Sequence, residues 1–447
     1  MKKLTDGNIY KNFILFAIPI ALSGILSHSY GVINSAIAGR YLGTNGLAAI
    51  GATSGLITFL SSILWGYGVG VSIYAARLFG AGKNKELKNV VWGNFFLNLL
   101  ISVTVAAIII IFINPIMGWL KVAPEIVEDA KTYLRIYMIA YCISSSNYFC
   151  VFIMNSLGES AFPFWMSFVS GVLTIIGSLL AVVVFDGGVG GLALSTAISV
   201  AVVGVCYVIR LRKYFAVLGV ASEGIRLEKQ FFRNAFTYGG SNMLQQSIMY
   251  VVNVAIAPTI NVLGADATAG YAIASTIFTL NAQLYQSASK CVSNYTAQAI
   301  GLERYDNIKK GVNVGFIQGV VFLSPLLLVC VIFARPVNSL FFADTAGSEA
   351  FEFAIIFSRY YLPFLYLNAV NNLFHALFRG IASSGLLNIS TAIGAAVRIV
   401  LSYILSAPMG IHGIYLAWVL SWAIEVVYSL YIYLSGRWKK YIQKNDG

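Results

Sequence analysis

Three charged side chains lie inside otherwise apolar stretches: Lys290 in Gln286-Ser-Ala-Ser-Lys-Cys, Arg398 in Ala396-Val-Arg-Ile-Val, and Glu425 in Trp422-Ala-Ile-Glu-Val-Val. A charge at membrane depth costs at least ~2.5–3.5 kcal/mol on insertion scales, so each calls for a function or a partner. Glu425 is the one acid near the middle of such a stretch, which makes it the carboxylate placed to bind and release a proton away from bulk water. Two other readings stay open for it, an ion pair with Arg398 on the neighbouring helix and an interfacial position. Lys290 either lines a cavity or snorkels to the cytoplasmic interface. His28 and His375 are of the type that exchanges protons near neutral pH, although a lone histidine in an apolar helix also serves as a hydrogen-bonded packing residue.

Amides supply a second chemistry. Gln245, Gln246, Asn253, Asn371 and Asn372 fall in two apolar stretches of the second half. They can bind ions and polar ligand groups without a net buried charge, or act as interhelical glue. A membrane enzyme would need a compact set of histidines, acids or a nucleophile, and three scattered histidines make no such set. The five cysteines, Cys142, Cys150, Cys206, Cys291 and Cys330, sit in apolar stretches without CxxC spacing and read as small buried hydrophobes. No metal or cofactor is expected.

These residues must be positioned by membrane helices. Hydrophobic residues make up 58% of the chain and charged ones 10%, far from the balance of an ordinary soluble domain, so lipid is the solvent for most side chains. Largely apolar segments between loops predict about twelve spans, over 12–39, 45–76, 89–114, 131–157, 161–185, 188–210, 234–262, 267–299, 311–334, 354–379, 385–407 and 412–436. The first run is expected to stay in the membrane as a span, with no signal peptide. The 41 glycines are mainly a close-packing signal, as in Gly51, Gly55, Gly66, Gly68 and Gly70. Pro19 and Pro363 should kink or hinge the first and tenth helices, whereas Pro258 marks a helix end. The fold expected is an all-α integral membrane protein.

The net charge of +12 is spread over alternate short loops and does not form a patch for nucleic acid. Lys2, Lys3 and Lys11, then Arg77, Lys83, Lys85 and Lys88, then Arg210, Arg212, Lys213, Arg226, Lys229 and Arg233, and last Arg437, Lys439, Lys440 and Lys444 mark the cytoplasmic side. Glu125, Glu128, Asp129, Asp186, Asp266, Asp344, Glu349 and Glu352 fall in the opposite loops, so both termini are expected inside a plasma (inner) membrane.

The chain also repeats itself. With Gly43 laid on Gly264, Gly80 falls on Gly301 and Lys88 on Lys309 without a gap. Val32-Ile-Asn-Ser-Ala-Ile-Ala returns as Val251-Val-Asn-Val-Ala-Ile-Ala, and Gly188-Val-Gly-Gly-Leu-Ala-Leu as Gly410-Ile-His-Gly-Ile-Tyr-Leu. Two six-helix bundles follow, an N-terminal lobe over 1–211 and a C-terminal lobe over 234–447, joined by a cytoplasmic linker over 212–233. An even number of spans in each relates them by a pseudo-twofold axis along the membrane normal. Such symmetry is the mark of a transporter with a central site between halves that rock against each other; a channel would show a filter motif, and none is present. The repeat also lays Thr174 on Arg398, matching a cavity-lining hydroxyl with a guanidinium.

Several motifs resemble one family. Leu4-Thr-Asp-Gly-Asn-Ile-Tyr, Phe16-Ala-Ile-Pro-Ile, Gly39-Arg-Tyr-Leu-Gly, Leu47-Ala-Ala-Ile-Gly51 and Leu78-Phe-Gly-Ala-Gly-Lys83 look like the opening of the multidrug and toxic compound extrusion (MATE) transporters. Ala297-Gln-Ala-Ile-Gly301 with Arg304-Tyr-Asp-Asn-Ile-Lys-Lys-Gly311, and Phe378-Arg-Gly-Ile-Ala-Ser-Ser384, are similar to the family's loops after the eighth and tenth helices. The resemblance implies a bacterial antiporter that exports amphipathic or cationic small molecules in exchange for H+ or Na+ by alternating access. Ion and substrate would compete for overlapping sites. It also implies a chain working as a monomer, with membrane lipid and a small-molecule substrate as its partners. Relatives commonly carry an aspartate where this chain has Asn34, and polar or acidic groups where Thr174 and Ser178 stand. Asparagine can coordinate an ion but cannot release a proton, so the coupling ion is open. A flippase for a lipid-linked oligosaccharide or other anionic lipid-like substrate, from the same superfamily, is the alternative that Lys290 and Arg398 keep in view.

Overall fold

A computed structural model describes residues 3–220, 224, 233–341 and 348–444. Lys2, Asp344, and Arg226 and Lys229 with half of the expected linker lie outside the described residues.

Among the described residues all regular structure is helical. The long helices are α1 Ile9–Tyr41, α2 Gly43–Ala81, α3 Asn84–Ile111, α4 Pro124–Ser156, α5 Ala161–Val184, α6 Gly188–Val217, α7 Ala235–Asn261, α8 Ala265–Gly301, α9 Asn307–Ile332, α10 Glu349–Gly380, α11 Ser384–Met409 and α12 Ile411–Leu434. Helices are the form these stretches must take, because lipid offers no partner to a backbone N–H or C=O. Eleven are long and apolar enough to cross a membrane by length and composition. The remaining one, α8, is formed over 37 residues but is too polar to count. The reason is packing: Asn281, Ser287, Ser289, Ser293, Asn294, Thr296 and Gln298 are all buried against protein, so these polar side chains are covered by the protein itself.

The chain divides into two compact units, one of Met1–Lys3 with Leu22–Met243 and the other of Leu4–Ala21 with Leu244–Gly447. The division of α1 falls just after Pro19, through which the helix runs unbroken. In the first unit, α2 packs on α3 and α4, and α4 and α5 both pack on α6. In the second, α8 packs on α9 and α10, and α10 and α11 both pack on α12. The same neighbours therefore recur in the same order. The turns recur as well: Gly43 and Gly264, laid on each other by the repeat, have φ of 68° and 99°, and Gly188 and Gly410 have 55° and 56°. Only glycine enters that region without a Cβ penalty.

Each unit has its own apolar core. Tyr67, Leu87, Phe149, Ile153, Tyr207 and Phe215 fill the first, and Phe278, Trp418 and Trp422 build a ring cluster in the second. Pro363 does break its helix. Glu349–Ile356 gives way to a π turn over Phe357–Tyr361 and a 3-10 turn over Leu362–Phe364, before Leu365–Gly380 resumes the α-helix. Pro258 lies in the last turn of α7. α6 continues past its expected end at 210 to Val217, so Arg212 and Lys213 sit on a helix.

Candidate functional site

Glu425 is 7% exposed and sits where α12 crosses α10 and α11. Asn371 of α10 donates from Nδ2 to its Oε2. A carboxylate can only accept, which fixes the orientation of that amide. The carboxyl lies against Gly394 of α11, where a Cβ would collide with it; only glycine leaves room. Beyond Asn371 the polar contacts continue: Ser429 Oγ donates to Asn371 Oδ1 at 3.4 Å, Ser390 Oγ lies 3.2 Å from Ser429 Oγ, and His375 Nε2 lies 2.9 Å from Ser390 Oγ.

Arg398 is engaged elsewhere. Its guanidinium stacks 4.3 Å from the Trp418 ring centroid, and Nη2 donates to Asn253 Oδ1 at 3.4 Å and to Tyr271 Oη at 3.5 Å. The direct ion pair between Arg398 and Glu425 that their helix positions suggested is not formed among the described residues. Each group instead found a partner that is easier to desolvate, an amide for the acid and an indole face for the guanidinium.

Gln245 of α7 donates from Nε2 to Thr391 Oγ1 at 3.3 Å and accepts from Arg379 Nη2 at 3.2 Å. Asn372 turns back onto Asn368, donating to its carbonyl at 3.0 Å and its side-chain oxygen at 2.9 Å, while Asn368 accepts from Tyr285. Gln246 and Lys290 are half-buried on α7 and α8.

In the first unit the polar cluster is neutral throughout. Ser178 donates to Asn34 Oδ1 at 2.9 Å and lies 2.8 Å from Ser195 Oγ. Thr174 bonds back to the Ser170 carbonyl at 2.8 Å, and His28 is exposed on α1.

Structure thus joins Glu425, Asn371 and His375 in one network, and Arg398 with Asn253. Ser195, Ser390, Ser429, Thr391, Arg379 and Gly394 complete these contacts and escaped sequence reasoning as site residues. A serine in an apolar helix usually bonds its own backbone, so nothing in the sequence marked these. The glycine was one of many.

The pattern of the MatE family matches the chain twice, at residues 19–180 and 240–404. The Bacillus subtilis (strain 168) protein called probable multidrug resistance protein YoeA is 24% identical over 352 residues, covering 77% of this chain and 76% of its own. Multidrug export protein MepA of Staphylococcus aureus (strain MSSA476) is 20% identical over 409 residues, covering 91% and 89%. The crystal structure of the Vibrio cholerae MATE transporter VcmN in its bent form superposes with a TM-score of 0.86 at 18% identity over 97% of both chains. With the family pattern spanning both halves, the chain belongs to the MatE family, the multidrug and toxic compound extrusion transporters.

Proposed function

We propose that this protein is a multidrug efflux transporter that exports amphipathic or cationic small molecules across the plasma membrane in exchange for protons or sodium ions. The double family match over both units carries this reading. The names of relatives in Bacillus subtilis and Staphylococcus aureus support export of drugs as its purpose. Alternating access supplies the mechanism: ion and substrate bind the two forms with different affinity, and only such a difference can drive one against the other. No covalent step on the substrate is needed.

Within this reading Glu425 is the coupling carboxylate, Asn34 with Ser178 is a neutral ion or packing site, and Arg398, Asn253, Gln245 and Lys290 border the substrate path. The lysine- and arginine-rich loops support a reading with both termini in the cytoplasm, the chain acting as a monomer. No finding favours the flippase alternative.

Proteoliposomes holding the purified protein and an imposed pH or sodium gradient test it, with ethidium as probe. Gradient-dependent ethidium movement that empty liposomes lack is expected. Movement indifferent to both gradients overturns the proposal.

A further inference from the structure

Five buried side chains of the second unit form one continuous hydrogen-bonded chain: Glu425, Asn371, Ser429, Ser390 and His375, exposed by 7%, 2%, 0%, 0% and 7%. It crosses three helices, α12, α10 and α11, and has a titratable group at each end.

Its polarity is dictated from the acid. An ionised Glu425 accepts only, so Asn371 turns its NH2 toward it and its carbonyl toward Ser429. Ser429 has one hydroxyl proton and gives it to that carbonyl; it must therefore accept from Ser390. Ser390, its proton spent, accepts from His375, which requires the hydrogen on Nε2. Protonated at Oε2, the oxygen that meets Asn371, Glu425 donates instead. The amide then turns over and Asn371 donates to Ser429. Ser429 donates to Ser390, Ser390 donates to Nε2, and the imidazole hydrogen must be on Nδ1.

We propose that Glu425 binds the coupling proton and that its protonation reverses every hydrogen bond in this chain, so that the charge on α12 is read at His375 on α10 as a change of tautomer. One proton enters, forming an O–H bond at Glu425. His375 loses the Nε2 proton to solvent and takes one at Nδ1, with no net uptake. The charged groups whose field reaches the chain are Arg398 of α11, acting on Glu425, and Arg379 of α10, acting on His375 and also on Lys290 of α8. None is a link in it. The fully buried serines keep water from substituting for a link, which is what lets polarity carry over three helices.

This deepens the efflux reading and depends on it only for its tie to transport. The test uses full-length protein with 15N-labelled histidine in lipid nanodiscs, His375 being assigned by its absence in His375→Gln. As pH falls, the His375 nitrogen signals should pass from the Nε2–H to the Nδ1–H pattern. In Glu425→Gln the pattern should hold constant, and in Ser390→Ala the dependence should vanish although Glu425 remains. A wild-type tautomer indifferent to pH, or a transition that persists in Glu425→Gln, overturns the proposal. In proteoliposomes, Glu425→Gln should slow pH-driven ethidium movement by about tenfold or more, and wild-type rates in that variant also overturn it. If the wild type moves no ethidium under any gradient, the efflux reading fails by itself, and the nitrogen titration still decides the switch.

Discussion

Asn34 and Asn253 hold matching places in the two units: each side-chain oxygen accepts from a residue of its repeat's fifth helix, Asn34 from Ser178 and Asn253 from Arg398, at sequence separations of 144 and 145 residues. A second pair repeats the relation, Ser23 with Ser167 and Gln245 with Thr391, at 144 and 146. The duplication thus preserved the first-to-fifth helix contact and changed its chemistry. One copy is neutral and the other cationic.

That contrast predicts what Asn34→Asp does. Ser178 already donates to Oδ1, so the carboxylate enters a site with a donor in place and the protein should fold. It adds a titratable group to a unit whose cluster is otherwise neutral. The number of protons moved per ethidium, measured in proteoliposomes with an internal pH dye, should rise. An unchanged ratio would show that this cluster is no part of the coupling.

Arg398 sits in a ring of aromatic and amide groups, and its Nε is buried without a hydrogen-bond partner. A desolvated guanidinium repels a cationic drug and attracts a carboxylate. Arg398→Gln should lower the KM for ethidium by about threefold or more, and it should forfeit the stacking on Trp418, worth about 0.5–2 kcal/mol. Ethidium KM values for variant and wild type, with thermal unfolding of both, check the two halves; an unchanged KM removes Arg398 from the substrate path.

The legible and the illegible separate cleanly by physics. Apolar run length shows in composition, so the long helices could be placed within seven residues of their observed ends. Gly43 and Gly264 were visible as a repeat because both must adopt positive φ. Glu425 stood out because an acid in an apolar run is rare. Its partner did not: the choice between Arg398 and Asn371 depends on how α10, α11 and α12 rotate about their axes, and no single-residue property encodes that. Ser390 and Ser429 are silent for the same reason, since a helix can satisfy a serine by itself. α8, expected as a span over 267–299, is formed as Ala265–Gly301; hydropathy alone would have passed it over, because polarity buried against protein looks the same in sequence as polarity facing water.

Pro363 predicts a kinetic effect. It has no N–H to give, and the helix around it passes through π and 3-10 turns before resuming. Such a point can absorb a change of backbone angle that a regular helix resists. Pro363→Ala restores a donor and should lower the turnover of ethidium without weakening its equilibrium binding. Parallel measurement of transport rate and of ethidium fluorescence titration distinguishes this from a damaged site, in which binding would fall as well.

Gly394 and Glu425 should be energetically coupled, since the carboxyl fills the space a Cβ would need. Gly394→Ala in the wild type must push Glu425 off Asn371 or move α11, and overpacking of this kind costs about 1–3 kcal/mol. Glu425→Ala empties that space, so the same methyl should then cost almost nothing. The cycle of the two single variants and the double variant, followed by unfolding in detergent micelles, therefore gives an interaction energy of about 1–3 kcal/mol. Equal costs of Gly394→Ala in both backgrounds would mean that α11 yields before the carboxylate does. The glycine would then act only on backbone approach, and the seat of Glu425 between α10 and α11 would owe nothing to it.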